Sequence, residues 1–277
     1  MADAPESSVI PKRTLRDARF VDVLFVYVLA LSYILYGGFA FNLTDNKWIK
    51  LLFPVGLGLI PVLYCVCAHI GVADTFPIRI PSLITLAGSV VLMLGIFIII
   101  VVIAFFIGPY LPVPDESNAV LQIEIFDDNV LYSLLAIAVL PAIFEEILCR
   151  GFLLSGLSGQ LPAKGAIILC SAFFACLHFD LARLPFTFLA GLALSYAALV
   201  SKSLLIPVFM HFLYNFSLFL FVRFGSFFED KMNGLVEFSG DVASHVGFDF
   251  ILIGLAAILG TGLLAMGRYL LLLKTPD

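Results

Sequence analysis

Glu145, Glu146 and Arg150 stand in the run FEEILCRGF, His178 ends the run FFACLH, and His211 and Asn215 bracket HFLYN. The surroundings of all three runs are apolar. Carboxylates and imidazoles are the side chains that move protons near neutral pH. An imidazole N–H and a carboxamide N–H are also suitable donors to a developing oxyanion. Spacing sorts these groups into roles. Glu146 and Arg150 are four apart, share a helix face and can neutralise each other. Glu145 points about 100° away from Glu146 around the helix and remains the unpaired carboxylate. His211 and Asn215, also four apart, project the same way.

The set suits hydrolysis of an amide. Desolvation raises the pKa of a buried carboxylate, and hydrogen-bonding or cationic neighbours draw it back toward the range of a general base. Glu145 with His178 can hold and deprotonate a water, while His211 and Asn215 donate to the oxyanion. No GxSxG elbow and no Cys–His pair of evident design offers a nucleophile instead. Glu145, His178 and His211 can alternatively supply three ligands to a catalytic zinc. The chain has no HExxH, so spacing favours the metal-free form and leaves zinc open.

The elements that must position these groups are membrane helices. Of 277 residues, 62% are hydrophobic and 13% charged, and mean hydropathy is +1.11. No soluble domain hides that much apolar surface. A disordered chain, a disulfide scaffold and a nucleic-acid binder are excluded, the last also by the net charge of −5. The fold class expected is all-α, a polytopic bundle of about eight transmembrane helices in a single domain over residues 20–273, with its motif-bearing core at about 130–224. A polar segment, residues 1–19, precedes it. The first apolar run is too long for a signal h-region and lacks a small-residue cleavage site, so it stays as the first span. The spans expected are Phe20–Phe41, Leu51–Ile70, Leu83–Leu111, Val130–Leu157, Ala163–Phe179, Phe186–Val200, Leu204–Phe224 and Phe248–Leu273. Pro54, Pro61 and Pro141 fall inside spans, where neighbours must satisfy the freed carbonyls.

Ionisable residues inside a span are costly and mark function. With a rise of about 1.5 Å per residue, Glu145 lies roughly 18 Å from one face, His178 roughly 21 Å, and His211 and Asn215 roughly 13–20 Å from the same face. Three helices thus present the four groups at one depth. Loop Lys and Arg divide nine to five in favour of the side that holds both termini, which places the termini in the cytoplasm. The acidic stretch with Asp115, Glu116, Glu124, Asp127 and Asp128 suits an external loop, and its VLQIEIF core reads equally as an interfacial amphipathic piece or a solvated loop.

Blander roles account for other residues. The five cysteines, Cys65, Cys67, Cys149, Cys170 and Cys176, lie in apolar runs and are read as small buried hydrophobes. Phe174, one turn before His178, packs against it. Gly191 serves close helix packing. Asp180 and Arg183 make a surface pair, and His69 and His245 have no role. Glu146 with Arg150 can be a purely structural pair, and Asn215 can be helix glue.

The three motifs together resemble the CPBP family of CAAX proteases and bacteriocin-processing enzymes, also called the Abi family. Its pattern is EExxxR, then FxxxH, then HxxxN. Here it runs through Glu145, Glu146 and Arg150, then Phe174 and His178, then His211 and Asn215, in order and on separate spans. The resemblance covers about residues 130–220. It implies an eight-helix intramembrane endopeptidase similar to the Ras-converting CAAX endopeptidase. In that type the first Glu and the FxxxH His activate water, and the last His and Asn form the oxyanion hole. Those roles fall on Glu145, His178, His211 and Asn215, with Glu146, Arg150 and Phe174 in support. The family has been described both as metallopeptidases and as glutamate proteases without metal. The implied partners are the lipid bilayer and a peptide or membrane-protein substrate, lipidated or not. The N-terminal region has a prokaryotic character, so the compartment expected is a prokaryotic cell membrane and the natural target is left open.

Two competing readings use the same residues. Glu and His chains in spans also relay protons in transporters, although the two similar halves that transporters often show are missing from the sequence. A non-catalytic immunity or scaffolding protein of this fold would tolerate alanine at all four polar sites.

Overall fold

The computed structural model describes residues 15–42, 46–107, 110–111, 128–238 and 245–273. Among these residues there is no strand, and helices of 14 residues or more carry the fold. They are α1 (Phe20–Asn42), α2 (Leu52–Cys67), α3 (Leu83–Ile107), α4 (Val130–Ser158), α5 (Ala163–Cys176), α6 (Leu184–Ser201), α7 (Leu205–Phe238) and α8 (His245–Leu272). Six are long and apolar enough to cross a membrane: α1, α2 with the preceding turn Lys47–Lys50, α3, α4, α6 and α8. The expected polytopic helical bundle is what the chain forms. The acidic stretch before Asp128, with VLQIEIF, lies outside the described residues.

The departures from the expected spans have local causes. α5 stops at Cys176, and Phe179 beyond it takes a left-handed φ of 49°. At 14 residues α5 is roughly 21 Å long, shorter than a hydrocarbon core of about 30 Å. His178 therefore sits in the irregular connection after α5, of the kind tolerated at membrane depth where protein or a water-filled cavity surrounds it. α7 continues to Phe238, through Gly225 and the Asn233–Gly234 pair, with no proline after Pro207 in it. Two of the five cysteines also differ: Cys65, Cys149 and Cys170 are buried, but Cys67 and Cys176 face outward.

α4 is interrupted twice by π-helical turns, Leu135–Val139 and Ile147–Leu153. Each π turn adds a residue to the local repeat and re-aims the side chains beyond it. Glu145 and Glu146 close the seven-residue α-helical stretch Leu140–Glu146 between them.

Packing divides the interior into two main apolar clusters. One joins α1, α2, the second half of α4 and α5, around Val23, Leu57, Phe152 and Cys170. The other joins α3, α6, α7 and α8, around Met93, Leu194, Met210 and Leu271. α3 and α8 meet through glycines. A Cβ on Gly95 would lie 2.8 Å from the Leu264 backbone nitrogen, and one on Gly88 3.0 Å from that of Leu271. Small residues let backbones approach where lipid supplies no hydrophobic drive.

One end of the bundle is tied by polar contacts. Arg16 gives Asp22 two hydrogen bonds, at 2.6 and 2.8 Å, and its backbone pairs with His69 and Gly71 after α2. The Asp22 carboxylate holds the Arg16 guanidinium above its already high pKa. At the same end Ser203 donates to the Arg79 carbonyl at 2.6 Å, and Gly156 near the end of α4 touches Ala18 and Val23. At the other end the Lys47 ammonium lies 5.1 Å from the Tyr132 ring centroid, joining the α1–α2 connection to the start of α4.

Candidate active site

Between the two apolar clusters runs a buried polar chain. Arg150 Nη1 donates to Glu146 Oε1 at 2.6 Å, with both side chains fully buried. The i, i+4 pair read from the sequence therefore forms. The other Arg150 donors cross to α6, Nη2 to the Gly191 carbonyl at 3.1 Å and Nε toward Ser195 Oγ at 3.4 Å. The missing side chain of Gly191 lets α6 lie close against α5, since a Cβ there would meet Ser171 at 3.0 Å. The guanidinium carbon lies 4.4 Å from the Phe174 ring centroid, a cation–π contact with α5. A buried charge needs such a complete set of partners.

Glu146 does more than neutralise Arg150. His211 Nδ1 donates to the same oxygen, Glu146 Oε1, at 2.8 Å. This bond fixes the ring of a residue only 4% exposed and turns Nε2 toward Glu145, whose Oε2 lies 4.0 Å away. That gap suits one bridging water, two hydrogen bonds of about 2.8 Å meeting near a right angle. The sequence assigned Glu146 to Arg150 alone. A Glu three helices away in the chain gives no periodic signal of its contact with His211.

Glu145 faces a cavity of about 200 Å³ between α2 and α4. On α4 the lining is Tyr132, Ala136, Pro141 and Glu145. The successive spacings of four, five and four residues follow the first π turn, whose extra residue keeps the face aligned. The facing wall includes Lys50, Phe53 and Leu57. These positions lie in a part of the sequence without motif, and only a cation at the start of an apolar run hinted at Lys50.

His178 Nδ1 donates to the Phe174 carbonyl at 3.0 Å, which leaves Nε2 as the free acceptor of the neutral ring. Phe174 also separates the two imidazoles. Its centroid is 5.1 Å from that of His178 and 5.6 Å from that of His211, edge-on to both. The expected packing of Phe174 against His178 is present, and it extends to His211 and Arg150.

Asn215, one turn after His211, donates Nδ2–H to the Ile137 carbonyl at 3.0 Å. Its second N–H is not used by this bond. Both residues thus face α4, His211 at Glu146 and Asn215 in the first π turn. Away from this site, Asp180 and Arg183 pair at 3.1 Å.

The fit of the three candidate zinc ligands follows from their donors. Each histidine commits Nδ1 within the protein and keeps Nε2. Among the described residues no three His, Cys, Asp or Glu side chains converge as a metal-holding group. Glu145, His178 and His211 are thus not brought together as a three-ligand set, and no step below runs through a metal.

Comparison with curated proteins and with solved structures gave no match. A family model did match, that of the type II CAAX prenyl endopeptidase Rce1-like proteins, over residues 127–217, about one third of the chain. The resemblance to the CAAX proteases is thus shown over the stretch that holds all three motifs, from Glu145 to Asn215.

Proposed function

We propose that the protein is an intramembrane endopeptidase that hydrolyses a peptide bond with a water held by Glu145 and His178. The observation that carries this reading is the Glu145 carboxylate on the cavity wall, 4.0 Å from the anchored Nε2 of His211. Glu145, assisted by His178 Nε2, takes a proton from water as the oxygen attacks the scissile carbonyl. The oxyanion formed accepts hydrogen bonds from His211 Nε2–H and from the second Nδ2–H of Asn215. His211 carries both ring protons throughout, Nδ1–H on Glu146 and Nε2–H on the oxyanion, and exchanges neither in the step. As the tetrahedral centre collapses, Glu145 returns the proton to the leaving amine, and the second water proton passes from the new acid to that amine, so the products are a carboxylate and an ammonium. Arg150 positions the machinery by holding Glu146, which holds His211.

The substrate is a peptide or membrane-protein segment that reaches Glu145 from the bilayer or along the cavity. The family likeness and the apolar helices support this class. The positive-charge bias supports cytoplasmic termini. The test is a peptide-cleavage screen with detergent-purified protein, with and without chelator. Activity that disappears in Glu145→Gln and persists in chelator is the outcome expected. Cleavage retained by pure Glu145→Gln protein overturns the mechanism.

A further inference from the structure

Where the turn between α6 and α7 meets the segment before α3, two cations come together outside the helices. Ser203 donates its hydroxyl to the Arg79 carbonyl at 2.6 Å and accepts from the Arg79 N–H at 3.2 Å. The Leu204 N–H donates to the Pro77 carbonyl at 2.8 Å. This stitch sets Arg79 beside Lys202, the residue before Ser203, and both are exposed. Apolar side chains flank them: Ile78 is 72% exposed, Ile80 94% and Leu83 84%. Helix register gives their level. Gly88 faces Leu271 and Gly267 faces Leu92, so Leu272, the last residue of α8, is level with Ala87 on α3. Leu83 stands one turn, about 6 Å, further out. The segment from Ile78 to Ser82 thus lies beyond the ends of both helices, where hydrocarbon gives way to headgroups.

We infer that Arg79 and Lys202 form a binding site for the phosphate of an anionic phospholipid, with Ile78, Ile80 and Leu83 seated among its acyl chains. The inference is independent of the endopeptidase reading. Apolar side chains this exposed are unfavourable in water and favourable at the acyl boundary. Cations at the same level pair with phosphate, Arg as a planar fork and Lys as a point charge. Neither 76–84 nor 199–208 contains an Asp or Glu. Asp74, the acid nearest to Arg79 in the chain, turns back toward Gly71. Charge complementarity therefore selects an anionic headgroup over a zwitterionic one. The backbone marks Lys202 as well. It holds a left-handed φ of 51° at the end of α6, where glycine is the residue without strain. The backbone alone favours glycine there, and what lysine adds is the charge.

The experiment is a lipid titration of the full chain in an uncharged detergent, with dioctanoyl phosphatidylglycerol and, separately, dioctanoyl phosphatidylcholine. Native mass spectrometry counts the bound lipid, and thermal unfolding is followed in parallel. Phosphatidylglycerol is expected to bind about tenfold more tightly, the gain from two basic groups near an anionic headgroup, and the preference should shrink in high salt. Arg79→Gln with Lys202→Gln should remove the preference and leave phosphatidylcholine binding as it was. Arg79→Lys should keep most of it. Lys202→Gly should lose part of it without unfolding at a lower temperature in lipid-free detergent, because the left-handed strain is relieved. Ile78→Ser with Ile80→Ser should weaken both lipids alike. Lys164→Gln, which removes an exposed cation at the start of α5, should change nothing. Equal binding of the two lipids, binding of neither, or a preference that survives the double glutamine substitution overturns the inference. A preference that Lys164→Gln removes equally well also overturns it, since general surface charge then accounts for the effect. Inorganic phosphate that stabilises the protein as much as the lipid does overturns it too, by making the site one for a free anion.

Discussion

Asn215 on α7 donates a hydrogen bond to the Ile137 carbonyl on α4, where a proline interrupts the α-helical ladder. The residue four positions on is Pro141, which has no N–H, and the Asn215 amide approaches to 3.0 Å in its place. An intramembrane proline is tolerable when a neighbour repairs the ladder. Here the repairing group is a candidate catalytic residue, so one side chain joins helix structure and proposed chemistry.

The two contributions of Asn215 separate in a double-mutant cycle. Asn215→Leu should cost about 1–2 kcal/mol in detergent unfolding, since a buried carbonyl loses its donor. Pro141→Ala restores a backbone N–H, so Asn215→Leu should cost less in that background. Cleavage should stay low in both Asn215→Leu proteins, because neither regains the second amide proton. Activity that returns along with stability would reduce Asn215 to a structural role.

Glu145→Gln keeps the shape of the side chain and removes the base. We expect cleavage to fall at least about 100-fold with little change in thermal stability. His178→Ala should lower the rate comparably, because its Nε2 is the other acceptor for the water.

Arg150→Met should destabilise by about 3–5 kcal/mol, as it strands Glu146 in the core with only His211 to face it. Adding Glu146→Gln should recover part of that loss, but not activity, since His211 loses its carboxylate anchor. Thermal unfolding followed by size exclusion reads the first effect, and peptide cleavage the second.

The α3–α8 seam offers a test remote from the site. Gly95→Val drives a side chain into the α8 backbone at Leu264 and should cost about 1–3 kcal/mol or more. Gly262 on α8 has nothing within 4 Å of a built Cβ, so Gly262→Ala should be neutral or slightly stabilising. Equal effects would show that the two helices do not pack as described.

Composition and residue spacing alone establish an all-helical membrane bundle, the Glu146–Arg150 pair and the family likeness, because these depend on hydropathy and on the helical repeat. The same periodicity puts His211 and Asn215 on one face of α7 and sets Glu145 apart from Glu146. Only the tertiary structure decides that Glu146 also anchors His211, that Arg150 reaches Gly191, and that α2 and the turn before it wall the cavity at Lys50, Phe53 and Leu57. It also decides that α5 ends before His178 and that π turns set the register of α4 around the two glutamates. Contacts between helices depend on which faces meet and at what level, and a helix's own sequence repeats with the same period whichever neighbour it meets.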